Sequence, residues 1–230
     1  MQLKYEETVL LERRGAKRMD AAAYSKDPCG ASSLPFWKTE CVSLPAHLCV
    51  LRDDAYSASL CAGADEPYFK LIHRLEQIPE TTLPDGFVFS SCSLADYARH
   101  IGECYTAEGV DADELNACCL RPVYDPVLWI AVREKGSGRI VASGIGELDR
   151  RIGEGTLEWI QVSPEFRRRG LGQAVVCELL QRMRGKAGFV TVSGRVNNPD
   201  NPLACYLRCG FRDPVIWHVV TQAQDGTSRR

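Results

Sequence analysis

Val162-Ser163-Pro164-Glu165-Phe166-Arg167-Arg168-Arg169-Gly170-Leu171-Gly172 connects the end of an expected strand to the start of an expected helix. Leu157 to Val162 is rich in strand-forming residues and is cut off by Pro164, which cannot donate to a ladder. Beyond the glycines, Leu171, Ala174, Val175, Leu179, Leu180 and Met183 recur at helical spacing, with Gln173, Glu178, Gln181 and Arg182 on the opposite side. A helix that begins at this point exposes unpaired backbone N–H groups and the positive end of its dipole. Two glycines let another group approach the main chain, so the turn is suited to a diphosphate. Arg167, Arg168 and Arg169 add fixed charge and forked donors that match phosphate oxygens. No Gly-Lys-Ser/Thr follows, and the Gly-x-Gly-x-x-Gly of a dinucleotide fold is absent.

Outward from this stretch, Leu83-Pro84-Asp85-Gly86 is turn chemistry leading into a strand at Phe87-Val88-Phe89. Ser93 caps an expected helix with Leu94, Tyr97, Ala98 and Ile101 on one face, and a second helix is expected over Ala112 to Leu120. Val127 to Arg133 and Ile140 to Ile145 read as antiparallel strands joined through Lys135-Gly136-Ser137-Gly138. Downstream come a strand at Phe189 to Val192, a short helix opened by Asn201 and Pro202 and closed by Gly210, and a last strand over Phe211 to Thr221. The order β-α-α-β-β-β-α-β-α-β predicts an α/β fold of the α+β kind, a mixed sheet wrapped by helices. Residues 1–83 read as an N-terminal extension: a helix over Glu6 to Tyr24, an irregular stretch from Pro28 to Pro35, a short strand at His47 to Leu51 and a helix around Tyr68 to Leu75. Residues 84–230 form the second division, the domain that carries the chemistry.

Composition bounds the function. At 230 residues the chain has room for one large domain or one with an extension. It is 45% apolar and 25% charged, an ordinary globular balance. The net charge of −2 lacks the positive field that non-specific nucleic-acid binding needs. Charges near Met1 stand where a secretory signal would be apolar, and no run approaches the ~18 apolar residues that span a bilayer. A cytoplasmic protein without nucleic-acid or membrane partners is expected. The eleven cysteines are scattered, with no Cys-x-x-Cys or histidine pattern for zinc, so they are expected as reduced, partly buried small side chains and no metal is expected. Two regions carry opposite charge: Ser93 to Asp125 has seven acids against Arg99 and Arg121, and Ser163 to Arg195 has seven bases against Glu165 and Glu178.

The stretch Arg167-Arg168-Arg169-Gly170-Leu171-Gly172 resembles the Arg/Gln-x-x-Gly-x-Gly/Ala loop of the GCN5-related N-acetyltransferase (GNAT) superfamily. Asn201-Pro202-Leu203-Ala204-Cys205-Tyr206-Leu207-Arg208-Cys209-Gly210-Phe211 is similar to that superfamily's Asn-x-x-Ala-x-x-x-Tyr-x-x-x-Gly-Phe block, with Tyr206 two residues after Ala204. The likeness covers about Pro84 to Thr221, and the chain is identified as a member of bacterial type with an N-terminal extension.

The resemblance implies the GNAT acyl-CoA N-acyltransferase fold and acetyl-CoA as co-substrate. Its pyrophosphate would rest on the main chain of Arg168, Arg169, Gly170, Leu171 and Gly172, supported by Arg167. Its pantetheine arm would pair with Ile160 to Val162 as an added strand. Asn201 would bond the arm near the thiol, and Tyr206 would protonate the departing sulfur. Glu158 shares a strand face with Ile160 and Val162 and is the candidate base, with Glu154 or a water chain as competitors. An N–H near Ile160 or Val162 would hold the acetyl oxygen. His47, His73, His100 and His218 are read as structural, and Trp37 as an anchor of the leader or an acceptor-site aromatic.

The acids Glu103, Glu108, Asp111, Asp113 and Glu114 lie where the superfamily borders its acceptor cleft, or else form a solvated helix face. The expected activity is transfer of an acetyl group to the primary amine of a small cationic molecule by direct attack. The alternatives are a non-catalytic acyl-CoA-binding module and a protein N-terminal or lysine acetyltransferase. The leader is free to cover the acceptor side or to build a homodimer contact.

Overall fold

The computed structural model describes residues 19–58, 63–105 and 109–221. Within them, eight strands form one mixed sheet: β1 (Leu48–Arg52), β2 (Ala64–His73), β3 (Phe87–Ser90), β4 (Tyr124–Glu134), β5 (Ile140–Asp149), β6 (Glu154–Val162), β7 (Phe189–Arg195) and β8 (Arg212–Thr221). Their spatial order is β1-β8-β2-β7-β6-β5-β4-β3. Every neighbouring pair is antiparallel except β6 and β7, which run parallel. The helices are α1 (Ala21–Lys26), α2 (Pro28–Ala31), α3 (Phe36–Cys41), α4 (Leu94–Cys104), α5 (Ala112–Cys119), α6 (Leu171–Met183) and α7 (Pro202–Arg208).

From β3 onward the element order is the expected one. The caps set the helix starts: Ser93 Oγ accepts from Asp96 N at 3.1 Å, and Asp111 and Glu114 close a reciprocal capping box on α5. The β4–β5 hairpin turns on Gly138 at φ 69°. The expected helix over Glu6 to Tyr24 lies largely outside the described residues; what is described of it begins α1.

The helix expected at Tyr68 to Leu75 is instead the end of strand β2. Tyr68-Phe69-Lys70-Leu71-Ile72-His73 is buried on both faces and hydrogen-bonded on both edges, to β7 and to β8. A strand covered on both sides reads as a continuous apolar run, whose periodicity cannot separate it from a buried helix.

The two faces follow from the alternation. Phe69 and Leu71 of β2, Leu128, Ile130 and Val132 of β4, and Leu157 of β6 point to the face covered by α6 and α7. The other face is covered in two halves. Tyr97, Ile101 and Leu115 of α4 and α5 pack on Trp129 and Ile145, while Tyr24, Cys29 and Phe36 of the leader pack on Ile72 and Phe189. Gly144 of β5 has no room for a side chain: a Cβ there would lie 2.6 Å from Val175 Cγ1 and 2.8 Å from Ile160 Cδ1. Among the described residues, no helix is long and apolar enough to cross a membrane.

Candidate active site

β6 and β7 pair only from Glu154↔Phe189 to Leu157↔Val192, after which the two parallel strands part. β6 continues along β5 alone, with Ser143↔Gln161 and Ala142↔Val162, and so keeps one unpaired edge over its last residues. At the parting point Trp159 takes φ 47°, and the β5 register shifts between Ser143 and Ile145. A left-handed backbone at a bulky residue is costly and concentrates at functional sites. The opening is a cleft of about 1900 Å³, lined by β6, the turn into α6, the β7–α7 loop, α7 and the leader.

At one end of the cleft the 3-10 turn Pro164–Phe166 delivers the chain to Gly170, which starts α6 at φ 80° with no side-chain cap. The first bond of the helix is Ala174 N to Gly170 O at 3.0 Å, so the N–H groups of Leu171, Gly172 and Gln173 precede it. A Cβ on Gly170 would meet nothing within 4 Å, and Gly170, Leu171, Gly172 and Gln173 all line the cleft. Arg168, exposed and at φ 64°, lines the cleft. Arg167 is held differently from a phosphate-supporting side chain standing free: Nε donates to Val162 O at 3.2 Å and Nη1 to Asp200 at 2.8 Å, which ties the turn to the β7–α7 loop. Arg169 bends back over the Phe166 ring at 5.0 Å and donates to Glu165 O. A helix start with three N–H groups ahead of its first bond, on the wall of a cleft, fits an acyl-CoA diphosphate.

Across the cleft, Asn201 caps α7 with Oδ1 accepting from Ala204 N at 3.2 Å, in a left-handed conformation of φ 48°. Tyr206, on the next turn, is 7% exposed and packs edge-on against Phe69 and Phe211. Burial, followed by the neighbouring Tyr105, pushes its phenol well above the ordinary tyrosine value, so it stays protonated at neutral pH. Ile160, Val162, Leu171, Gly172 and Glu158 also line the cleft. The sequence reading thus converges on one cavity, with Arg169 alone directed away from it.

Glu158 is not a bare carboxylate: Lys38 of α3 forms an ion pair with it. Glu154, its competitor for the base role, is 1% exposed and accepts from Tyr24 Oη at 2.7 Å, Thr191 Oγ1 at 2.7 Å and Phe36 N at 2.8 Å. It anchors the leader and does not face the cleft. Glu147 does similar work, accepting from Trp37 Nε1 at 2.9 Å and Arg121 Nη1 at 3.3 Å, and burial raises its carboxyl above the ordinary range. Among the described residues, none of the acids of the expected rim lines the cleft. Asp111 and Glu114 cap α5, Glu103 faces Arg139 at 3.8 Å, and Glu108 lies outside the described residues.

His73, His100 and His218 have structural partners. His100 bridges Ser143 Oγ and Ser163 Oγ at 2.8 and 3.0 Å, and burial lowers it to about 4, so it is neutral. His73 Nδ1 accepts from Leu75 N at 2.9 Å. Three cleft residues escaped the sequence reading. Tyr105 donates to Ile160 O at 3.2 Å and meets Trp159 edge-on, Trp159 carries the left-handed kink, and Lys38 reaches in from the leader. No local pattern marks any of them, because each acts through a partner distant in sequence.

The sequence profile of the acetyltransferase (GNAT) domain matches residues 125–213. Among curated proteins none matches the sequence. The fold is similar to that of a GCN5-related N-acetyltransferase from Sphaerobacter thermophilus, with a TM-score of 0.61 at 19% identity over 80% of this chain and 64% of that one. It is also similar to a GCN5-related N-acetyltransferase from Kribbella flavida, with a TM-score of 0.53 at 16% identity over 77% and 68%. A GNAT-family protein from Novosphingobium aromaticivorans gives 0.51 at 14% identity over 80% and 71%. The chain therefore spans less than two thirds of the Sphaerobacter protein's length and little more than that of the other two. Residues 125–213, which match the GNAT acetyltransferase domain, hold the junction where the mixed sheet parts beside an uncapped helix start, and the chain has the GNAT fold.

Proposed function

We propose that the protein is an acetyl-CoA-dependent N-acetyltransferase that acts on the primary amine of a small molecule by direct attack. The observation that carries this reading is the parting of β6 from β7 beside the open N-terminus of α6, with Tyr206 on the facing helix. Acetyl-CoA supplies the activated acetyl group and the thiol leaving group. The N–H groups of Leu171, Gly172 and Gln173 hold the diphosphate, and Arg168 adds charge at the rim. The free edge of Ile160 to Val162 holds the pantetheine arm by strand addition, with Asn201 toward the thiol end. Tyr206 gives its proton to sulfur, a role suited to a phenol that burial keeps protonated. Glu158 takes a proton from the acceptor amine, directly or through water.

A cationic acceptor, expected from the acidic rim, loses that support because the rim does not line the cleft. The walls near Glu158 carry Lys38 and Arg121 instead. The Lys38–Glu158 ion pair also favours a second reading, an acyl-CoA-binding module whose acceptor side is closed by the leader.

Thiol release from acetyl-CoA across a panel of amines, amino acids and short peptides separates the two. The enzyme releases thiol with at least one acceptor, and Tyr206→Phe lowers kcat by roughly 10²–10⁴-fold, the usual worth of a general acid, while acetyl-CoA still raises the Tm. A binding module shows the thermal shift and no thiol release. A Tyr206→Phe variant with full activity removes the acid assignment.

A further inference from the structure

The leader is fastened to the sheet by a knot of buried polar groups. Lys70 of β2, 1% exposed, donates to the carbonyls of Pro28, Ser32 and Leu34 at 2.8, 2.9 and 2.8 Å and lies 3.0 Å from Tyr24 Oη. Glu154 holds Tyr24 and the N–H of Phe36 from the neighbouring strand. Three groups thus fix the start of α3, and α3 then sends two consecutive side chains inward: Trp37 to Glu147, and Lys38 to Glu158. Lys38 is 8% exposed, and its amine rests on Glu158, where β6 begins to leave β7. Glu158 is in turn close enough to influence the phenol of Tyr206 electrostatically. The chain therefore keeps a primary amine of its own on the wall of the cleft, paired with the carboxylate and sharing that cleft with the phenol to which proton transfer has been assigned. An arginine would make the same ion pair yet could never become a nucleophile, because its guanidinium does not lose its charge.

We propose that Lys38 is itself an acetyl acceptor, modified in cis by the acetyl-CoA bound in the same cleft. The inference rests on the acetyl-transfer reading above. Glu158 accepts a proton from the Lys38 ammonium, and the freed lone pair of Nζ attacks the thioester carbonyl carbon. The C–N bond forms and the C–S bond breaks, its electron pair leaving with sulfur. Of the two protons Nζ gives up, one passes through Glu158 to solvent, and the other balances the proton that sulfur receives from Tyr206. The products are Nζ-acetyl-Lys38 and the free thiol. The acetamide carries no charge, so the ion pair with Glu158 ends.

The test uses the full chain with isotopically labelled acetyl-CoA and no added amine, digestion at residues other than lysine, and mass spectrometry of the peptide containing Lys38. The expected result is one label and one released thiol per chain. Lys38 should label about tenfold or more faster than the exposed Lys26 and Lys186, which report uncatalysed background. The rate should not depend on protein concentration, Tyr206→Phe should slow Lys38 but not Lys26, and Lys38→Arg should abolish the single thiol equivalent. Labelling of Lys38 at the background rate, or at a rate proportional to protein concentration, overturns the proposal. Calorimetry on the same sample separates the two levels. Binding and thiol release with an external amine, with Lys38 unlabelled, sink this inference alone; absence of acetyl-CoA binding sinks it together with the functional reading.

Discussion

Lys70 shows how much one residue decides. A lysine in the middle of a strand ordinarily argues for an exposed face, yet here the ammonium is enclosed and its stem lies beneath the leader. Burial lowers it to about 8, partly offset by Glu154, so it is charged in neutral solution and satisfies three leader carbonyls at once. Lys70→Met keeps the stem and removes the donor, leaving Glu154 and those carbonyls buried without their cation. The expected loss is about 3–5 kcal/mol in chemical denaturation, the usual cost of orphaning one partner of a buried ionic network. Lys70 was legible in the sequence only as a charge inside an apolar run. Tyr206 was singled out by the block Asn201 to Phe211, although it follows Ala204 by two residues, and it lies on the cleft wall.

At the scale of elements, the start of α6 and the end of β8 each carry a prediction. Gly170 opens α6 at a positive φ with empty space around its missing Cβ, so a side chain there meets a conformational cost and no contact. Gly170→Val is expected to raise the Kd for acetyl-CoA by roughly 5–30-fold in calorimetry, from ~1–2 kcal/mol of left-handed strain that the bound loop must carry.

On β8, His218 lies between Asp53 at 3.0 Å and Asp65 at 2.9 Å and stacks on Tyr56 with centroids 3.7 Å apart. It clips the turn after β1 to the sheet. Burial opposes the charged ring, but the two carboxylates outweigh it and raise His218 above its ordinary 6.5. A raised histidine contributes stability that is complete below the unfolded value and fades as pH rises through the folded one. The Tm difference between the wild type and His218→Gln should therefore be largest below the ordinary histidine value of 6.5 and shrink as pH rises above it, in thermal melts across that window. A difference that grows with pH would remove the clip.

At the scale of the molecule, the strand order makes the leader part of the sheet. β2 lies between β7 and β8, so β8 reaches the rest of the sheet only through a strand from residues 64–73. Removing residues 1–83 would leave two strands facing a gap about one strand wide, with the carboxylate of Glu154 uncovered. The fragment 84–230 is therefore expected to express without a cooperative thermal transition, and to recover one when a peptide spanning residues 19–83 is supplied. Cooperative melting of the fragment alone would show that the two divisions fold independently. The same topology explains why the cleft is lined from both divisions: the leader crosses the face where β6 and β7 separate.

The sequence alone determined the local features of this protein: the helix start after Val162, the caps, the hairpin, the order of elements from Phe87 onward and the Tyr206 block. Each is written in residues a few positions apart, where backbone geometry and side-chain spacing act directly. The tertiary structure alone decided that Tyr68 to His73 is a central strand, that Arg167 is tied to Asp200 and Val162, that Glu154 belongs to the leader, and that Lys38 meets Glu158. Apart from the Arg167–Val162 bond, these depend on pairings such as Arg167–Asp200 and Tyr24–Glu154, which span 33 and 130 residues of chain. Such pairings follow from which distant groups the sheet brings together, and no short window of sequence contains that information.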